Sequence, residues 1–217
     1  MRMNISEIYE KYQIMPQLQN HMYRVAGVAS VICNNFSKPV DKNSVVSACL
    51  LHDMGNIIKS DLNLFPEYLN EKGLSYWKNL KKEFIKKYGN NANEATQKIC
   101  KEFGTPGNVI NILKGMGFLK MQKIAGIENF QVKICGYSDM RVKPSGVTSL
   151  NDRLKEGIKR YAVTFAKRGF DSEKIEELIS LLRKVEKQIF AYCKIRPEDI
   201  TEERIKPLIK KFRNFEI

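Results

Sequence analysis

The amino-acid sequence predicts an all-α fold. Three observations predict it: apolar residues recur three and four apart along most of the 217 residues, helix caps and stops bound the segments so marked, and no alternating strand pattern interrupts them. The chain has no internal repeat and no low-complexity tract, and its length suits one substantial core better than two. A single domain over 1–217 is expected, with its core in about 15–165 and a helical extension over about 170–217.

From Gln17 to Phe36, the residues Met22, Val25, Val28, Ala29, Ile32 and Phe36 make the stripe of a helix, and His21 shares the face of Val25, Val28 and Ile32. Asp41 or Asn43 can cap a second helix. Its run Val45, Val46, Ala48, Cys49, Leu50, Leu51 is apolar nearly all round, which predicts a central position, and it ends in His52, Asp53 and Gly55. After a loop at Pro66, Leu74 to Tyr88 puts Trp77, Leu80, Phe84 and Tyr88 on one face and lysines on the other. Asn93 can cap a helix through Ala95, Ile99 and Phe103, stopped by Gly104 and Pro106, and a shorter helix follows through Val109, Ile110 and Leu113. Lys120 to Gly126 reads ambiguously.

Ile127, Phe130, Ile134 and Tyr137 then mark a mostly buried helix with Asp139 near its C-terminal end, and Gly136 would allow close packing there. Arg141 to Thr148, with Pro144 and Gly146, reads as a loop. Ser149 with Asp152 starts a long helix through Leu150, Leu154, Ile158, Tyr161 and Phe165, closed by Gly169. Asp171 caps the next, a last helix begins around Pro197 or Thr201, and a basic tail from Lys210 onward is expected to fray.

Bulk composition limits the function classes. The most apolar stretch, Val45 to Leu51, falls far short of the roughly 20 residues that cross a bilayer. The first twelve residues intersperse Glu7, Glu10 and Lys11 among apolar ones and hold no signal core, so a cytoplasmic location and no membrane partner are expected. Five widely spaced cysteines among apolar residues suit free buried thiols. The net charge of +13 attracts polyanions through long-range fields, without naming one.

The chain has two histidines, both in helical segments with apolar neighbours. A histidine in such a place is commonly a core residue with a satisfied hydrogen bond. Here His52 is followed at once by Asp53, and a buried carboxylate is expensive unless it meets a cation. Residues about 100° apart on a helix can converge on one ion near its surface. Gly55 gives room for that approach or for a turn. Asp139, beside Cys135 and Tyr137, is a second carboxylate in need of a cation. Imidazole nitrogen with carboxylate oxygen suits Mn²⁺, Fe²⁺, Co²⁺, Ni²⁺ or Zn²⁺, and four protein ligands on a six-coordinate ion leave room for water and substrate. Such an ion acidifies water and polarises a phosphoryl oxygen.

The ordered set His21, then His52 with Asp53, then Asp139 resembles the HD-domain metal-dependent phosphohydrolases. The segments around it, His21-Met-Tyr-Arg-Val-Ala26, Leu50-Leu-His-Asp-Met-Gly55 and Tyr137-Ser-Asp-Met-Arg-Val142, are similar to the corresponding family segments. The resemblance covers about residues 15–165. It implies an HD-domain-like helical bundle with a central metal site on His21, His52, Asp53 and Asp139, holding one divalent ion (Mn, Fe, Co, Ni, Zn or Mg). It also implies hydrolysis of a phosphomonoester or phosphodiester. The additional histidines that hold a second metal in many members are absent, and Asn93 stands near where one would be, which favours a mononuclear site. No glutamate of the kind some nucleotide phosphatases use follows the His-Asp pair, where Asn56 and Ile57 stand.

The expected substrate is a small phosphorylated metabolite, with nucleotides as the leading class. Arg24, Lys59 and Arg141 are the candidate phosphate contacts, the arginines favoured because a forked guanidinium matches phosphate geometry. Asp53 can double as the catalytic group that orients or deprotonates the attacking water. The alternative is a metal-containing binding module for an anionic ligand or RNA. Its basic candidates are Lys78, Lys81, Lys82, Lys86 and Lys87 on one helix, and Arg204, Lys206, Lys210, Lys211 and Arg213 near the C-terminus.

Overall fold

A computed structural model describes residues 3–63, 69–167 and 169–217, apart from the side chains at 161, 163, 164 and 167. The expected loop at Pro66 and the side chain of Tyr161 lie outside the described residues. The rest is a helical assembly built around three buried helices: α2 (Pro16–Asn34), α3 (Lys42–Leu51) and α8 (Phe130–Asp139). Each of the three packs on the other two. The all-round apolar run of α3 explains its place, since every residue from Ser44 to Leu51 is buried and a helix without a polar face has no side to give to water. Asp41 caps it by accepting from the Ser44 N–H.

Around this centre lie α4 (Gly73–Tyr88), α5 (Ala92–Glu102), α6 (Gly107–Gly115), α7 (Met121–Gly126), α9 (Leu150–Lys167), α10 (Ser172–Phe190) and α11 (Glu202–Phe212). On α4 the buried residues are Trp77, Leu80, Phe84 and Tyr88, the face its spacing predicts. The cap of α5 is Asn91 rather than Asn93: its side chain accepts from the N–H groups of Asn93 and Glu94. The ambiguous stretch folds as a 3-10 turn over Phe118–Lys120 followed by α7, and α8 starts after its own cap, Asn129, so Ile127 belongs to the end of α7.

Two segments depart from the sequence expectation more substantially. The expected loop after Asp139 contains a short antiparallel hairpin, β1 (Val142–Lys143) with β2 (Gly146–Val147), in register Val142 to Val147. At the other extreme of the chain, the basic tail does not fray. Phe212 is buried, the Ile5 N–H donates to the Phe215 carbonyl (2.9 Å), and the Ile217 N–H donates to the Met3 carbonyl (3.1 Å). The segment it pairs with leads into α1 (Ile5–Lys11), which opens with a capping box between Asn4 and Glu7 and buries Ile5, Ile8 and Tyr9. At seven residues, α1 is too short for periodicity to reveal it.

The C-terminal helices complete the core. Helix α10 packs on α7 and α8, and α11 lies along α2. A Cβ on Gly27 would stand 2.8 Å from the Ile205 Cβ, so glycine at that point lets the two helices approach. Among the described residues no helix is long and apolar enough to cross a membrane.

Candidate metal centre

Packing of α2, α3 and α8 decides where the candidate ligands sit. His21 lies in the second turn of α2, His52 is the C-cap of α3 with Asp53 next to it, and Asp139 is the last residue of α8. The four side chains meet. His21 Nε2 is 3.0 Å from Asp139 Oδ1 and 3.8 Å from Asp53 Oδ2, and His52 Nε2 is 3.5 Å from both Asp53 Oδ1 and Asp139 Oδ1. His21, His52 and Asp53 each offer a ligand atom within 4.8 Å of the others. Side-chain exposure rises from 6% at His52 to 17% at Asp53, 21% at His21 and 29% at Asp139, so the cluster opens to solvent on the His21 and Asp139 side.

The orientation of His52 is set by its own helix. Its Nδ1 lies 2.8 Å from the Cys49 carbonyl one turn back, so Nδ1–H donates there and the lone pair is left on Nε2. That Nε2 is buried and has no hydrogen-bond partner. An orphaned imidazole nitrogen facing two carboxylate oxygens is what a bound cation would satisfy, and the donor set of two imidazoles and two carboxylates fits a divalent metal. Electrostatics points the same way. Burial works against a proton on His52, but the negative charges of Asp53 and Asp139 outweigh it, and without an ion beside it its pKa is pushed up to about 10. Burial likewise opposes ionisation of Asp139, yet the two imidazoles hold its carboxyl well below the usual range. The two carboxylates thus favour positive charge at the imidazole nitrogens, whether carried by a proton or by a metal ion.

The turn carrying Asp53 is braced from behind. The Gly55 N–H donates to Thr96 Oγ1 (2.9 Å), and Thr96 Oγ1 donates to the Ala92 carbonyl. The space expected at Gly55 for metal approach is filled by α5: a Cβ there would stand 2.5 Å from the Ala92 oxygen and 2.8 Å from the Thr96 nitrogen. Because both are backbone atoms, the Gly55→Ala variant is expected to be destabilised by about 1–3 kcal/mol. A urea midpoint equal to that of the wild type would show that α5 can yield. Tyr9 supports the other side, its hydroxyl donating to the Leu50 carbonyl (2.6 Å).

The expected phosphate contacts fare differently. Arg141 is buried at 3% exposure, and its guanidinium is engaged by the Thr148, Pro197 and Ile200 carbonyls and the Tyr137 hydroxyl. It is therefore a structural residue, not a substrate cation. Arg24 Nε donates to Glu202 Oε1 (2.7 Å), so a phosphate oxygen would have to share that guanidinium or displace a carboxylate from it. Glu202 comes from α11, and no local pattern links it to Arg24. Lys59 is exposed at the end of a 3-10 turn (Asn56–Ile58), and among the described residues no ion pair joins it to Asp53 or Asp139. Asn93, considered for a second metal, is exposed in the first turn of α5. Of the α4 lysines, Lys81 donates to the Ser60 carbonyl and Lys87 pairs with Glu102.

Comparison with known proteins adds one match. Residues 17–106 fit the family model described as HD domain, a span that includes His21, His52 and Asp53 and ends before Asp139. No curated protein and no solved structure matches the chain. HD domains are typically metal-dependent hydrolases, and divalent metal binding is what the family implies for the His21, His52 and Asp53 cluster.

Proposed function

We propose that this chain, which belongs to the HD-domain family through residues 17–106, hydrolyses a phosphate ester of a small metabolite, with nucleotides the leading class. The observation that carries the reading is the orphaned Nε2 of His52, turned by the Cys49 carbonyl toward two carboxylates. His21, His52, Asp53 and Asp139 would hold one divalent ion. Such an ion supplies Lewis acidity toward a phosphoryl oxygen and makes water a better acid near neutral pH.

The chain's own groups do the rest. The cluster is exposed on the side of His21 and Asp139, so a phosphate enters there, while α3 and α5 close the opposite side. Asp53 carries two oxygens, one nearer His21 and one nearer His52, and can orient a water molecule or accept its proton at Oδ. Arg24, one turn from His21, and exposed Lys59 are the proposed cations for the phosphate, Arg24 only in competition with Glu202.

A panel of phosphomonoesters and phosphodiesters, including nucleoside monophosphates, tests the reading in the presence of Mn²⁺, Co²⁺, Ni²⁺ or Mg²⁺. Turnover by the wild type that disappears in Asp53→Ala is expected. Stoichiometric metal without turnover of any compound would instead favour a metal-containing module that binds an anionic ligand.

A further inference from the structure

A second polar surface lies where the far ends of α2, α8 and α10 come together. Phe36, Phe130 and Tyr192 form a triangle of rings with centroids 5.0, 5.4 and 6.1 Å apart. Tyr192 is 37% exposed, and of the large hydrophobic side chains described only it and Leu119 are so open. The shelf is rigid. Ser37 donates to the Tyr192 carbonyl through both its N–H (2.8 Å) and its hydroxyl (2.9 Å), and the Lys194 N–H donates to the Asn35 carbonyl (2.9 Å).

Cations surround these rings. Lys38 Nζ lies 3.6 Å from the Tyr192 centroid and 5.0 Å from that of Phe130. Lys133 Nζ is 5.2 Å from the Phe130 centroid and donates to Gln188 Oε1. Burial, followed by the nearby charges of Lys184 and Lys38, holds Lys133 below the ordinary lysine range, with Glu128 acting in the opposite sense. Lys133 is buried beneath the rings, whereas Lys38 is exposed on the open face of Tyr192, so an aromatic surface and a free ammonium stand side by side at the surface.

We infer that this shelf binds single-stranded nucleic acid, a base stacking on Tyr192 while an adjoining phosphate pairs with Lys38. In the free protein the Lys38 ammonium rests on the tyrosine ring; a base takes that face and the ammonium turns to a phosphate. A duplex keeps its base faces covered, so it cannot use the ring. An acidic peptide would pair with the lysines but gain nothing from the exposed aromatic face. The shelf is separate from the metal centre: Phe36 follows His21 by fifteen residues, roughly 20 Å along the α2 axis at 1.5 Å per residue.

Fluorescence anisotropy with a labelled short oligouridine, read at several salt concentrations, tests this on the full chain. Affinity should fall steeply with salt. Tyr192→Ala and Lys38→Glu should each weaken binding roughly tenfold or more, whereas Tyr192→Phe, which keeps the stacking face, should bind within about twofold of wild type. Lys101→Glu on α5 matches the charge change at an exposed site on another helix and should also bind nearly normally. Circular dichroism melts establish that each variant is folded. Absence of binding at low salt overturns the inference. So does equal weakening by Lys101→Glu with no effect of Tyr192→Ala, which would mean diffuse attraction, and so does a duplex or an acidic peptide that binds as well as the oligouridine.

Discussion

Purified Asp139→Ala protein is expected to lack the divalent metal proposed for the wild type, and the proposed hydrolytic activity with it. Asp139 is the ligand candidate supplied by α8, and it lies outside the segment that matches the HD-domain model, so it tests whether the site extends beyond that segment. Its Oδ1 stands within 3.0 and 3.5 Å of the two imidazole Nε2 atoms, the position from which one carboxylate can close a ligand set begun by His21 and His52. Loss of an outer-shell partner costs a metal site roughly 10–100-fold, and removal of a ligand should exceed that. Asp139→Asn keeps the shape and removes the charge, so it should behave like the alanine variant if charge holds the ion. Elemental mass spectrometry on protein purified without added metal reads the result. Stripping the wild type with a chelator should abolish turnover, and adding Mn²⁺, Co²⁺ or Ni²⁺ should restore it. Full metal content and full activity in Asp139→Ala would remove this residue from the site.

Arg141→Ala should act on a different quantity. The guanidinium joins three parts of the fold: Nε donates to the Thr148 carbonyl at the end of the hairpin, Nη1 to the Tyr137 hydroxyl on α8, and Nη1 and Nη2 to carbonyls of Pro197 and Ile200 before α11. Tyr137 in turn donates to Glu186 Oε2 on α10 (2.6 Å). Truncation orphans several buried acceptors at about 1–3 kcal/mol each, partly offset by entering water, and a total near 3–5 kcal/mol is expected. Arg141→Lys should recover little of it, because an ammonium cannot span acceptors arranged for a planar fork. Urea and thermal unfolding should show the loss directly, with KM of the remaining folded enzyme near that of wild type. A normal melting temperature with a raised KM would return Arg141 to the role of phosphate contact.

The contrast between these two residues shows what the chain makes legible. His21, His52 and Asp139 sit at positions whose helical neighbours are apolar, and a charged or ligating group on an apolar stripe needs a partner, so the sequence points to each of them. The elements carrying them were equally readable: Asp41 caps α3, Ser149 and Asp152 pair at the start of α9, and Asp171 caps α10. Capping and periodicity are local, and local physics can be read in order along the chain. Arg141 and Arg24 have partners that the sequence does not reveal, for the complementary reason. Arginine in a polar segment after a ligand motif looks like an anion contact until the acceptors from positions 197, 200 and 202 are folded over it.

The sequence by itself determined the all-α class, most helix boundaries and the candidate ligand set, because each follows from spacing within one segment. Only the tertiary structure decided that the C-terminal tail docks on α1, that α5 fills the space at Gly55, and that Arg24 answers to Glu202. Those outcomes depend on contacts between residues far apart in the chain, where no local periodicity or capping rule reaches. The same long-range packing turns two histidines and two aspartates from scattered polar residues into one cluster open to solvent on a single side.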